Sequence, residues 1–377
     1  LSSVFSPHTD IISHNHAEKI LNELDVPLQL SPPPKSFTPT EVKQVILNLP
    51  RKKSPGYDLI TSNILLQLPK KAVILLTTIY NAVLRTTYST LLRKFSTMKM
   101  IPKPNKNPQC PSAYRRISLL PILGKILEKL LIPRLQAIVI PLQHIPDHQF
   151  GFRQFHSTIQ QAHRVVDAIA VSLEKKEYCV GVFLDIAQAF DRVWHEGVLW
   201  KLKNILPSTY FLVLKSYLTD RHFQVSYGTH NSSIYPILAG VPQGSILAPF
   251  LYTIYTADLP THPSTSLYTF ADDTAILSSG TDPVFTTRTL QTHLNSIETW
   301  LTDWRIKINP SKSKNIVFTL NRKIPPPVYM YNTPIPPADH VRYLGLFLDK
   351  RLTWNPHTRL KRKDLNTRYR LLARLLD

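Results

Sequence analysis

Only two cysteines, Cys110 and Cys179, occur in 377 residues, too few for a multi-disulfide scaffold or a zinc site built from several thiolates. No apolar run approaches the ~18 residues that a membrane helix needs. The first residues, "LSSVFSPHTD", lack the charged and apolar regions of a signal peptide. These absences point to an intracellular chain with no membrane partner. Negative charge is scarce as well: 25 Asp and Glu stand against 45 Lys and Arg, a net +20 spread from Arg51 to Arg374. A net charge of ~2–8 is enough to keep a small domain soluble, so a distributed +20 suits a polyanion such as nucleic acid better than a small acidic metabolite. Neither a Walker A loop nor a nucleophile-elbow sequence is present, which leaves P-loop and Ser–His–Asp chemistries without support.

What is present has the size of two or three subdomains. Residues 1–36 are polar and end in "SPPPK", a stiff linker by composition, so folded material is expected after it. "TPTEVKQVIL" carries a helix N-cap and Pro at the first helical position, and another apolar-faced helix is expected at about 70–88. "MKMIPKPNKNPQCPSAYRRISLLPILGKILEKLL" reads as strand, Pro- and Lys-rich loop, strand and amphipathic helix. An apolar strand from Tyr178 to Leu184 runs into Asp185, followed by helical spacing at Trp194, Val198, Leu202 and Ile205. "FQVSYGTHNSSIYPI" reads as a hairpin, and Ser245 as the N-cap of a helix with Leu247, Phe250, Leu251 and Ile254 inward. Leu290, Leu294, Ile297, Leu301 and Trp304 mark a further helix, "RIKINPSKSKNIVFTL" a hairpin with a basic turn, and "VRYLGLFLDKRLTW" a strand pair. Helices and hairpins alternate without a doubly wound pattern, so the expected class is α+β.

One stretch carries an evident cost. In "TFADDTAILSS" two adjacent carboxylates, Asp272 and Asp273, interrupt an apolar strand pair, and they need a compensating cation or open water. A plain hairpin turn would account for them equally well. Asp185, at the end of another candidate strand, supplies a third carboxylate. Three carboxylates on adjacent strand ends suit a two-metal phosphoryl-transfer site, in which Mg²⁺ takes oxygen ligands and substrate phosphates.

In their order and spacing, "FLDIAQAFDRVWH", "AGVPQGSILAPFLYTIYTADLP", "TFADDTAIL", "INPSKSKNIVF" and "VRYLGLFLD" resemble the reverse transcriptase palm of jockey-like non-LTR retrotransposons. "IPKPNKNPQCPSAYRRISLLPILGKILEKLL" and "IPDHQFGFRQFHSTIQQAHRVVDAI" resemble the same family's fingers segments. The resemblance runs from about residue 40 to the C-terminus. It implies a right-hand polymerase fold, with an antiparallel palm sheet backed by helices, fingers and a partial thumb. Residues 1–36 would be an N-terminal extension and 37–177 the fingers with part of the palm. The palm would span 178–325, inside a reverse transcriptase domain of about 84–350, leaving 326–377 as primer grip and partial thumb.

The resemblance also implies roles. Asp185 and Asp272 would hold two Mg²⁺ ions, with Mn²⁺ as the alternative, joined by the backbone carbonyl of Ile186 and completed by Asp273. Phe190 would be the steric gate against a ribose 2′-OH, and Gln243 and Gly244 would touch the nucleotide and template base. Lys103 and Arg115 would grip the triphosphate, and Lys312, with Lys314 close by, would protonate the departing pyrophosphate. Tyr343, Leu344 and Gly345 would form the primer grip.

The implied activity is RNA-directed DNA polymerisation, joining a dNTP to a DNA primer 3′-OH on an RNA template, in a nuclear or cytoplasmic ribonucleoprotein. A decayed nucleic-acid-binding relic is the alternative, supported by departures from the family pattern. Arg116 stands where the family commonly has Pro and adds a charge beside the nucleotide grip; Ala248 stands where it often has Gly. The chain begins at Leu1 and stops inside the helical pattern "RYRLLARLLD", as expected of a piece of a longer polyprotein whose endonuclease domain lies elsewhere.

Overall fold

The computed structural model describes residues 5–9, 13–90, 94–103 and 113–373. The expected Pro- and Lys-rich loop at 104–112, with Cys110, and the last four residues of the terminal helical pattern lie outside them. Along the chain the first elements are α1 (His14–Asp25), α2 (Pro39–Leu47), α3 (Ser62–Leu66), α4 (Lys70–Thr86), β1 (Phe95–Pro102), β2 (Tyr114–Leu119) and α5 (Ile122–Val139). Next come α6 (Thr158–Glu174), β3 (Tyr178–Leu184), α7 (His195–Ile205), α8 (Ser208–Leu218), β4 (Arg221–Tyr227), β5 (His230–Ile237) and α9 (Leu247–Tyr255). The remainder is β6 (Ser266–Phe270), β7 (Asp273–Gly280), α10 (Pro283–Asp303), β8 (Lys314–Phe318), β9 (Tyr329–Met330), β10 (Thr333–Pro334), β11 (His340–Tyr343), β12 (Leu346–Asp349) and α11 (Asn355–Ala373).

Two compact units interleave along the sequence. The first holds the chain up to Pro146, Gln188–Ala257 and Asp303–Ile306; the second holds Asp147–Ala187, Asp258–Thr302 and the chain from Lys307 on.

The first unit is built on a sheet of order β2-β1-β4-β5, in which β1 and β4 run parallel and the other pairs antiparallel. Its helix α2 starts as its sequence predicts: Thr38 and Glu41 form a reciprocal capping box, Pro39 follows the cap, and Val42 and Ile46 are fully buried. At the start of α9, Ser245 Oγ accepts from the Leu247 and Ala248 N–H groups and donates to the buried Glu128 carboxylate. Glu128 also accepts from the Ile246 N–H and from Tyr217 Oη, so an acid sits where the helix dipole favours it.

The expectation that folded material begins only after the proline run is corrected by α1. Ala17, Ile20, Leu21 and Leu24 recur at helical spacing there, a pattern that the polar composition of the segment overshadowed, and α1 packs against α7 with Ala17 and Ile20 buried. There Trp200 Nε1 donates to Glu23 Oε2 at 2.6 Å, and Lys203 Nζ to the Glu23 carbonyl at 2.7 Å.

The second unit holds the antiparallel sheet β6-β7-β3-β8. Strand β3 is buried at every residue because it has a neighbour on each edge and α6 across one face. Cys179 and Phe183 on β3, Ala275 and Leu277 on β7 and Ile316 and Phe318 on β8 meet Val165 and Ile169 of α6 in one apolar core. A Ser157/Gln160 capping box starts α6. This is the α+β class with an antiparallel, helix-backed sheet that the sequence leads one to expect. The expected hairpin "RIKINPSKSKNIVFTL" is corrected: β8 pairs with β3, while Ile308 makes an isolated antiparallel bridge to Ile186. The alternation was read correctly as extended chain, but its pairing partner is remote in sequence.

Candidate active site

Strand register brings the acidic residues together. In the β3/β7 pair Leu184 lies opposite Thr274, so one further step sets Asp185 opposite Asp273, with Asp272 beside it in the two-residue turn from β6. Burial, then the negative charge of Asp185, holds the Asp272 carboxyl above the ordinary range. Asp273 is pushed up to about 6 by burial, then by the charges of Asp272 and Asp185, with Arg342 opposing. Its side chain still reaches solvent, so water screens part of that effect. A carboxyl with a raised folded pKa stabilises the fold while protonated, and that contribution is lost as pH rises through about 6. Above that pH the cluster calls for a cation.

Lys312 supplies part of the compensation. The Asn309 N–H donates to the Asp185 carbonyl at 2.8 Å and the Asp185 N–H to Ser313 Oγ at 3.1 Å, which fastens the 309–313 turn against the end of β3. Lys312 Nζ lies 3.5 Å from Asp185 Oδ2, with both side chains partly in solvent. Lys314 sits on β8 opposite Phe183. Both lysines, with Asp185, Asp273, Arg342 and Tyr343, line a cleft of about 330 Å³.

Ile186 is extended against Ile308, but the two bonds of that bridge run from Ala187 N–H to Lys307 C=O and from Asn309 N–H to Asp185 C=O. They leave the Ile186 carbonyl out. Among the described residues no group of three or more His, Cys, Asp or Glu closes tightly enough to cage an ion by itself. Mg²⁺ takes one or two carboxylates and completes its shell with water and substrate phosphates. Asp185, Asp272 and the Ile186 carbonyl offer only hard oxygen donors.

Of the expected primer-grip residues, Tyr343 is buried in the core, its ring 5.5 Å from that of Phe183, and its Oη reaches the Tyr268 carbonyl at 3.5 Å. Burial and the Asp273 charge raise its pKa. Leu344 and Gly345, at φ of 45° and 87°, form the partly exposed turn between β11 and β12. Any grip would therefore come from the turn, with Tyr343 as its root.

The remaining expected site residues belong to the first unit. The Phe190 ring stacks on Tyr252, centroids 4.6 Å apart at 22°, which fixes its plane. Gln243 and Gly244 are fastened to β2 by Ser118 N–H donating to the Gln243 carbonyl at 2.9 Å. Gly244 has φ of 124°, and a Cβ there would meet the Ser118 carbonyl oxygen at 2.7 Å, so this position requires glycine. On β2, Arg115 is exposed and Arg116 buried, as alternation dictates. Lys103 directly follows β1, its N–H donating to the Ala113 carbonyl at 2.7 Å.

Arg116 corrects an expectation. It was read as an added charge beside the nucleotide grip. Instead its Nη2 donates to Asp191 Oδ2 at 2.8 Å and its Nε at 3.2 Å, and Gln243 Nε2 donates to Asp191 Oδ1 at 2.8 Å. The charge is internally paired. Ala248 is likewise buried within α9 without strain at its backbone.

The sequence model of the family described as "Reverse transcriptase (RNA-dependent DNA polymerase)" matches residues 101–348, most of the chain and all of the acidic cluster. The chain belongs to the reverse transcriptase family. Within this family it is 40% identical over 376 residues to the probable RNA-directed DNA polymerase from transposon X-element of Drosophila melanogaster, covering 98% of this chain and 41% of that protein. It is 42% identical over 342 residues to the RNA-directed DNA polymerase from mobile element jockey of the same species, covering 89% and 37%. The jockey-like resemblance read from the motifs therefore holds. This reverse transcriptase chain spans about two fifths of the length of these curated relatives. Reverse transcriptases generally use divalent metal ions, which agrees with the oxygen-donor set described above.

Sequence reasoning missed Asp191, Arg342 and Ser313. Asp191 directly follows Phe190 in a quoted motif and Arg342 precedes Tyr343 in another, so position in the motif was the only available signal. Their partners, Arg116 for Asp191 and Asp273 for Arg342, lie far away in sequence.

Proposed function

We propose that this chain is an RNA-directed DNA polymerase of a jockey-like non-LTR retrotransposon, adding a dNTP to a DNA primer 3′-OH on an RNA template. The observation that carries the reading is the pairing of Leu184 with Thr274, which brings Asp185 at the end of β3 near Asp273 and Asp272, three carboxylates whose mutual repulsion calls for a divalent cation. Asp185, Asp272 and the Ile186 carbonyl would hold two Mg²⁺ ions, with Mn²⁺ as substitute. Bound there, the metals would supply activation of the attacking hydroxyl and charge relief on the phosphates. Asp273 adds to the local negative potential that favours the cations. Lys312, held at the cleft by the 309–313 turn, would carry the proton that the departing pyrophosphate takes.

In the same reading Phe190 excludes a ribose 2′-OH, Gln243 and Gly244 touch the nucleotide and template base, and Lys103 and Arg115 bind the triphosphate. The Leu344–Gly345 turn bears on the primer. The net charge of +20 supports binding of a nucleic-acid duplex. The fingers, palm and primer-grip division given above, an intracellular ribonucleoprotein setting and an endonuclease elsewhere in the whole protein belong to this proposal.

The test is primer extension on an RNA template with Mg²⁺ and dNTPs. Asp272→Asn is expected to lower the rate by about 10²–10³-fold or more, the scale of losing one electrostatic stabiliser, while Asp220→Asn leaves it near the parent value. Equal effects of the two substitutions would sink the metal assignment. A folded parent chain that binds primer-template and extends nothing would make it a relic.

A further inference from the structure

The turn that carries Asp272 is unusual in its backbone. Ala271, its first residue, has φ of 57°, a conformation that a residue with a Cβ seldom adopts and that persists only where the surroundings over-determine it. Here the surroundings are the segment 148–151. Gln149, 4% exposed, brackets the Ala271 peptide: its Oε1 accepts from the Ala271 N–H at 2.9 Å, and its Nε2 donates to the Ala271 carbonyl at 3.4 Å. The same Oε1 accepts from the Gly151 N–H at 2.8 Å.

The bracket is itself fixed. Gln149 bridges Thr269 in parallel: the Thr269 N–H donates to the His148 carbonyl at 3.0 Å and the Phe150 N–H to the Thr269 carbonyl at 2.9 Å. From α6, Gln161 Nε2 donates to both the His148 and Thr269 carbonyls at 3.1 Å. Gly151 lets this segment come close, since a Cβ there would lie 2.2 Å from the Ala271 nitrogen.

We propose that Gln149 is the positioning residue of the acidic turn: its side-chain amide holds the Ala271 peptide in the left-handed conformation and so sets the direction of the Asp272 carboxylate. An amide suits this role because it offers an acceptor and a donor on one planar group at every pH. It also does so without adding charge next to Asp272 and Asp273. Gln149 need not touch substrate or metal. The inference deepens the polymerase reading and rests on it for its catalytic consequence.

The test uses the full chain at pH 8 with Gln149→Met, which keeps the length and removes both bonds, and Gln149→Glu, which keeps the acceptor and, once ionised, loses the donor. Three quantities are read: amide hydrogen exchange without metal over residues 266–274 and, as reference, over 178–184; Mn²⁺ binding followed by the spin resonance of the free ion; and kcat and dNTP KM in primer extension. Gln149→Met is expected to speed exchange at the turn about tenfold and weaken Mn²⁺ binding comparably. It should lower kcat about 10²-fold, the scale of a small misplacement at a reacting centre, with exchange of β3 and the dNTP KM unchanged. Gln149→Glu should fall between, and it carries the test if Gln149→Met does not fold. Parental exchange and Mn²⁺ affinity in both variants, or loss of protection in β3 equal to that in the turn, would overturn the proposal. A parent chain that extends no primer, while Gln149→Met still loosens the turn and weakens Mn²⁺ binding, would refute the polymerase reading and leave the positioning role standing.

Discussion

Replacing Arg116 by Met should cost this protein more stability than most single substitutions. Asp191 is 3% exposed and Arg116 9%, and two guanidinium nitrogens converge on one carboxylate oxygen while Gln243 holds the other. Burial raises the Asp191 pKa, and Arg116 is the main influence opposing it. Removing one member of a buried ion pair costs about 3–5 kcal/mol, because the other charge is left in a medium that cannot solvate it. With a urea m-value of about 3 kcal/mol/M, the midpoint should fall by about 1–1.7 M at pH 7. The deficit should depend on pH. Without Arg116 the folded pKa of Asp191 moves further above its unfolded value, so the protonated carboxyl is tolerated in acid and stability is lost as pH rises through the raised folded pKa. Asp191→Asn in the Arg116→Met background removes the orphaned charge and keeps an acceptor for Gln243. The double variant should recover to within about 1–2 kcal/mol of the parent, as expected when a whole buried pair is replaced. Urea unfolding of the parent, both single variants and the double at pH 5 and pH 8 closes the cycle. An Arg116→Met midpoint within 0.3 M of the parent at pH 7, ~1 kcal/mol on the same m-value, would refute the reasoning.

Three further outcomes are expected. Mg²⁺ should raise the melting temperature more at pH 8 than at pH 5, since Asp273, with its pKa near 6, must ionise before the cation is favoured; equal shifts at both pH values in a thermal melt would contradict this. At about 100 times its Kd, the ion would add about 2.7 kcal/mol. Phe190→Ala should reduce discrimination against ribonucleotides by about 10–200-fold, the worth of 1–3 kcal/mol in a shaped pocket, and unchanged incorporation ratios in primer extension would remove Phe190 from the gate. Lys312→Gln should lower kcat by about 10²–10⁴-fold, the range of a general acid; single-turnover kinetics in which Lys314→Gln is the more damaging would reassign the proton donor.

Local structure and the inventory of chemistry were legible in the residues alone. Tyr178–Leu184 was read as a strand ending at Asp185, and the Thr38–Glu41 cap and the Leu247–Ile254 face were legible because capping and periodicity are properties of neighbouring residues. The quoted motifs carried the family without coordinates. Register and long-range pairing were decided only in three dimensions, since nothing local records which residue of β7 lies opposite Asp185 or that β8 pairs with β3. For the same reason Arg116 looked like a loose charge until Asp191 appeared beside it, and nothing in the residues around Ala271 showed that Gln149 brackets its peptide. Helix α1 escaped notice because the polar composition of residues 1–36 was weighed above the helical spacing of Ala17, Ile20, Leu21 and Leu24, and what covers that face, α7, is remote in sequence. A side chain's type is written in the chain, whereas its charge state, strain and partner depend on what the fold places within a few ångströms.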